Sequence, residues 1–216
     1  MSLNRLTGII NKHNSPRVFQ GDILRDVTYY QSVHYSGKEV ILNYIDFPFV
    51  YILSQDCDLT QENDHNMKAR VDDKGRLALN QNREPIYEVD KTLISVMLAP
   101  IYNFEIFRKG EHLQDLYCLS DNDKKTYTAQ KIGSDQKKPL IGNNNPRFHY
   151  LQFKQSCPIP PSIIDFKHYF TMSLDEIKQL RATQYICTVG ALFKNDISQR
   201  FASYLSRVGI PVIVES

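Results

Sequence analysis

The densest run of reactive side chains is Ser54-Gln55-Asp56-Cys57-Asp58-Leu59, at the end of the apolar run FVYILS. Side chains that follow a buried strand project into whatever cleft the loops form. Asp56 and Asp58 can hold a hard cation or act in acid–base chemistry. Cys57 is a nucleophile if a base lies near, although flanking carboxylates raise a thiol's pKa and count against that role. The same string also reads as an Asx-type turn capping backbone N–H groups. Gln20-Gly21-Asp22 is a second polar island: a tight turn that uses glycine, or a loop lining a cleft with the Asp56 region. Gln20, Asp22, Ser54, Gln55, Asp56, Cys57 and Asp58 are therefore the candidate ligand-binding set.

Arg147-Phe148-His149-Tyr150 alternates cation and ring. On a strand, Arg147 and His149 share one face, which puts a cation beside a titratable base, an arrangement suited to a phosphodiester. The alternative is a solvated face opposite a buried aromatic one. Lys124, Lys125, Lys131, Lys137 and Lys138, with Tyr127 among them, form a candidate nucleic-acid loop, diluted by Asp121, Asp123 and Asp135. A lysine-rich loop that only keeps itself solvated is the competing reading.

Composition limits the rest. Across 216 residues, 26 Lys and Arg face 24 Asp and Glu, so any grip on nucleic acid must come from a local patch. The six histidines are scattered, and Cys57, Cys118, Cys157 and Cys187 form no CxxC pair. Phosphate-loop, nucleophile-elbow, zincin and dinucleotide motifs are absent, so neither a cofactor nor a metal is expected. No apolar run of about 18 residues exists, and residues 1–19 lack a signal-peptide core. The expectation is a cytoplasmic protein with reduced thiols and no membrane contact.

The elements that position these residues follow from patterning. One domain spanning 1–216 is expected, with an N-terminal arm at 1–17 and polar insertions at 59–90 and 103–145. A strand from Val18 to Val33 with a bend at Gly21, a turn at Ser36-Gly37-Lys38 and a returning strand interrupted by Pro48 make a hairpin. FVYILS reads as a strand buried on both faces, or a buried helix too short to persist, and LISVMLAPI as a second apolar β run. EIFRKGEHLQDLY reads as a helix; PRFHYLQF and SIIDFKHYFTM read as strands. Ser173 with Glu176 forms a capping box, and Leu192, Phe193, Ile197, Phe201, Tyr204, Leu205 and Val208 give the last helix its apolar face. The fold class is α+β: a small, strongly bent antiparallel β-barrel with polar insertions and C-terminal helices.

This order of elements resembles the MazF/PemK family of toxin endoribonucleases. Gly21-Asp22-Ile23 stands where that family has its first-strand pattern. Pro48 to Asp56 is similar to its buried second strand, LISVMLAPI to the third, and SIIDFKHYFTMSLDEIKQLR with YICTVGALFKNDISQRFASYLSRVG to its closing elements. The resemblance implies an SH3-like barrel, RNA as substrate, a toxin–antitoxin or defence module, an antitoxin or other module protein as partner, and a homodimer. Two positions depart from it. Phe47 occupies the place of the catalytic arginine, and Pro100 or Ile101 that of the catalytic Thr or Ser. Cleavage would then fall to His149 as base and Arg147 on the phosphate, with Asp56 or Asp58 orienting the imidazole. Two alternatives stand beside it: a non-catalytic adaptor or sensor using the SQDCDL loop, and a metal-dependent hydrolase using Asp22, Asp56 and Asp58.

Overall fold

A computed structural model describes residues 10–59, 70–86, 93–114, 117–118, 128–153 and 157–207. In chain order these form β1 (Ile10–Asn11), β2 (Asp22–Ser36), β3 (Glu39–Ile52), β4 (Val96–Asn103), α1 (Phe104–Lys109), β5 (Tyr117–Cys118), α2 (Ser134–Ile141), β6 (Phe148–Leu151), β7 (Ser162–Asp165), a 3-10 turn (Phe166–His168), β8 (Phe170–Met172), α3 (Leu174–Gln184), β9 (Tyr185–Val189) and α4 (Ala191–Leu205). Every strand pair is antiparallel. The sheet runs β1-β9-β2-β3-β4-β7-β6, with β5 added to β3 and β8 to β4. It curls into a half-barrel.

The continuous apolar runs have a direct cause. Val50 and Ile52 of β3, with Leu98 and Tyr102 of β4, point into one core with Phe104, Phe107, Leu174 and Ile177 from the helices. Tyr51, Ala99 and Ile101 point the other way, into a core closed by Ile197 and Phe201 of α4. A sheet centre covered on both sides cannot alternate apolar with polar.

Four sequence expectations are corrected. Pro48 does not interrupt β3. The ladder pairs Arg25 with Phe49 and Val27 with Phe47, leaving Asp26 opposite Pro48 at φ +52°. A proline has no N–H to give, and Asp26, in a left-handed conformation, stands opposite it with no shift of register. SIIDFKHYFTM is not one strand but β7, a turn and β8, which pair with different stretches of β4. That break aims His168. The helix begun at Phe104 ends at Lys109, where Gly110 adopts φ +77°. A Cβ on Gly110 would lie 2.2 Å from the Ala129 carbonyl oxygen, so glycine lets the 128–132 segment close over α1. Residues 134–141, expected as loop, are helical. Ser173 caps α3 as expected, its Oγ accepting from the Glu176 N–H at 3.3 Å. Lys124, Lys125, Tyr127 and Val208 lie outside the described residues.

Candidate functional site

The first two polar islands meet. Gly21 turns at φ +86°, and its N–H donates to the Ile52 carbonyl at 2.9 Å. The Gln20 N–H donates to Asp56 Oδ1 at 2.8 Å, and Gln20 Nε2 reaches Ser198 Oγ at 2.7 Å. Lys194 Nζ donates to the other Asp56 oxygen. Gln20, Gln55, Asp56 and Cys57 line one open cavity of about 470 Å³ with Lys194, Asn195 and Ser198. Ser54 faces away and accepts from the Met97 N–H at 2.8 Å. Asp58 is exposed, its Oδ1 3.5 Å from Cys57 Sγ.

Asp22 is fully enclosed. Arg181 Nε donates to Oδ2 at 2.7 Å, Thr188 Oγ1 to Oδ1, and the Phe19 N–H to Oδ2 at 3.1 Å. Burial raises its pKa, against the pull of Thr188 and Arg181. The cation site weighed for Asp22, Asp56 and Asp58 is therefore not assembled. One carboxylate is sealed in, one faces a lysine and one faces solvent. Among the described residues no three His, Cys, Asp or Glu converge as metal ligands.

The third island lies apart from these two. Rows on opposite flanks of the Ile197–Phe201 core ridge of α4 carry Lys194 and Ser198, and Asp196 and Arg200. Asp56 meets the first row; His149 meets the second. His149 is 2% exposed, its Nδ1 has no hydrogen-bond partner among the described residues, and the carboxylate beside it is Asp196 at 3.8 Å, not Asp56 or Asp58. Burial first, then the Arg200 guanidinium, lowers its pKa to about 3.

That shift has a sign. The unfolded chain binds a proton near pH 6.5 and the folded chain only near 3. His149 thus contributes stability above pH 6.5 that is lost as pH falls towards 3, on the order of 5 kcal/mol over the whole window. Urea midpoints of the native chain are expected to drop between pH 7 and pH 4. The drop should be shallower in His149→Phe, and equal slopes would refute this account.

Arg147 faces elsewhere. Its Nε donates to Asp165 Oδ1 at 2.7 Å and its Nη2 to Oδ2, a two-pronged ion pair on a buried carboxylate. Asp165 also lies 3.5 Å from Nδ1 of His168, and that same nitrogen is 2.9 Å from the Tyr102 hydroxyl. The 3-10 turn after β7 sets the Asp165–His168 spacing, while β4 carries Tyr102. Among the described residues nothing hydrogen-bonds to Nε2 of His168. Burial lowers the His168 pKa, opposed by Asp165. His112 packs against Tyr102 and Phe107, with ring centroids at 4.8 and 4.6 Å, and its buried Nδ1 has no partner. Burial brings its pKa to about 4.

These groups border a cavity of about 480 Å³ lined by His112, Arg147, His168, Phe107, Gln136 and Asn145. His168 also lines a neighbouring cavity of about 440 Å³ with Tyr29, Gln31, Phe47, Tyr102 and Phe170. Lys137 and Lys138 ride on α2, which walls the first cavity; Lys137 lies 3.7 Å from Glu105. The pattern of Arg147 and His149 on one strand missed this group. Asp165 three residues ahead of His168 was the available signal; His112 had none.

Comparison with family models, with curated proteins and with solved structures returned no match.

Proposed function

We propose that the groove over Arg147, His168 and His112 binds single-stranded RNA and cleaves it without a metal, on an SH3-like, PemK-type barrel. One observation carries the reading. A histidine is held at Nδ1 by a tyrosine and a buried carboxylate, its Nε2 has no hydrogen bond among the described residues, and an arginine is clamped to the same carboxylate. Neutral at pH 7, His168 takes the proton from a ribose 2′-hydroxyl through Nε2. The 2′ oxygen attacks phosphorus and the bond to the 5′ oxygen breaks. A 2′,3′-cyclic phosphate and, after proton uptake from water, a 5′-hydroxyl remain. Arg147, with part of its guanidinium outside the Asp165 pair, offsets charge on the phosphorane, and a neutral His112 donates a hydrogen bond to it. Lys137 and Lys138 supply the approach for the strand. Phe47, at the position the family resemblance assigns to an arginine, lines the neighbouring cavity, which His168 also borders. Arg147, in the turn ahead of β6, would supply the missing cation. The MazF/PemK resemblance adds a place in a toxin–antitoxin or defence module of the cytoplasm.

A second reading rests on the cavity at Gln20, Gln55, Asp56 and Cys57: a non-catalytic adaptor that holds a small polar ligand or a partner segment there. Incubating the pure chain with a labelled single-stranded RNA in excess EDTA separates the two. Cleavage to a cyclic phosphate is expected, with the all-2′-deoxy strand of the same sequence left intact. An uncut RNA, or a cut abolished by EDTA, would refute the first reading.

A further inference from the structure

His168 stands between two cavities of different chemistry. One carries the guanidinium of Arg147. The other, of about 440 Å³, has no Lys, Arg, Asp or Glu in its lining and is walled by aromatic rings. Phe47 of β3 and Phe170 of β8 stack there, with centroids 4.9 Å apart and planes 19° apart. Tyr29 of β2 leans on Phe170 at 4.6 Å. The volume lies within the ~300–1,000 Å³ range of small-ligand pockets. A phosphate needs a cation, whereas a nucleobase needs flat apolar surface and a hydrogen-bonding group at its edge. The ring-walled cavity offers the second set and the Arg147 cavity the first.

An irregularity of the sheet places the edge group. Tyr30 pairs with Tyr44 and Ser32 with Asn43, so Gln31 is the extra residue of a β-bulge. A bulge re-aims a side chain, and here it is an amide that lines the cavity beside Tyr29. Among the described residues that amide has no hydrogen-bond partner. Gln31 is exposed, so core packing does not call for it. A side-chain amide presents a donor next to an acceptor, which a base edge matches with two hydrogen bonds. We propose that this cavity seats one nucleobase, the base on the ribose whose 2′-hydroxyl meets Nε2 of His168. Tyr29 supplies stacking surface and Gln31 reads the base edge. The phosphate 3′ to that ribose then falls on the Arg147 side of the imidazole. Which ribose carries the base rests on the cleavage reading; the seating of a base does not.

Fluorescence anisotropy of a short, labelled all-2′-deoxy strand tests the pocket apart from the reaction, because that strand lacks the attacking hydroxyl. One abasic site is walked along it. At a single position the missing base should weaken binding by about tenfold, within the range for losing one base–aromatic stack. In Tyr29→Leu/Gln31→Ala that penalty should vanish, with the native fold kept by circular dichroism. In RNA the same position should be the nucleotide on the 5′ side of the cut, and Gln31→Ala should shrink the native preference among the four bases there by about tenfold. A deoxy strand that does not bind, a scan with no sensitive position, or a penalty that persists in the double variant would overturn the proposal. A scan that keeps its sensitive position while RNA stays uncut would support the pocket and remove the cleavage reading.

Discussion

His168→Ala is expected to lower the rate of RNA cleavage by about 10²- to 10⁴-fold, the range for losing a positioned general base. The side chain sits on a turn, 29% exposed, and its Nδ1 contacts are to Tyr102 and Asp165. Arg147 continues to neutralise Asp165 when the imidazole is gone, so the fold should tolerate the change. His149→Phe is the matched control: that ring is sealed under α4 and should leave the rate unaltered. The pH profile adds a second readout. Burial holds His168 below its ordinary range, so cleavage should rise with pH and level off by neutrality. A His168→Ala enzyme as fast as the native one, or a His149→Phe enzyme that is slow, would refute this assignment.

Arg181→Ala should be the most damaging single change to stability, by about 3–5 kcal/mol, because it strands a buried carboxylate. For a domain whose whole stability is about 5–15 kcal/mol, that is a large share. Asp22 is 0% and Arg181 5% exposed, and Arg181 also donates to the Ser15 carbonyl. Burial already pushes the Asp22 pKa up with Arg181 in place; without the arginine nothing opposes it but Thr188 and a backbone N–H. The double variant Asp22→Asn/Arg181→Met removes both charges and should recover much of the loss. Urea denaturation reads both variants, and an Arg181→Ala midpoint close to the native one would contradict the argument.

How far the sequence spoke depended on whether the signal was local. The hairpin around Gly37, the doubly buried strands and the capped third helix follow from patterns of a few residues, and each is present. Pro48 misled because the strand runs through it with the register unbroken, opposite a left-handed Asp26, which only the pairing reveals. The meeting of Gln20 with Asp56 was legible as two polar islands beside buried strands, though not the lysine from α4 that joins them. Arg147 and His149 were read together because strand parity put them on one face. Parity was silent on the buried carboxylate that draws one away and on the helix that covers the other. Asp165 and His168 share one turn, but Tyr102 and His112 come from two other stretches, and only the curl of the sheet gathers the three.

At Gly21 three other stretches of the chain close in. A single methyl there would lie 3.3 Å from the Lys194 chain and 3.4 Å from both the Tyr51 hydroxyl and the Val189 carbonyl. The backbone angle excludes most side chains as well. The position works as an empty keystone: the arch of first hairpin, closing strand and last helix is held by a space no larger than one carbon atom. Any chain that has drifted far from this one in sequence but kept its shape should still have nothing at that point.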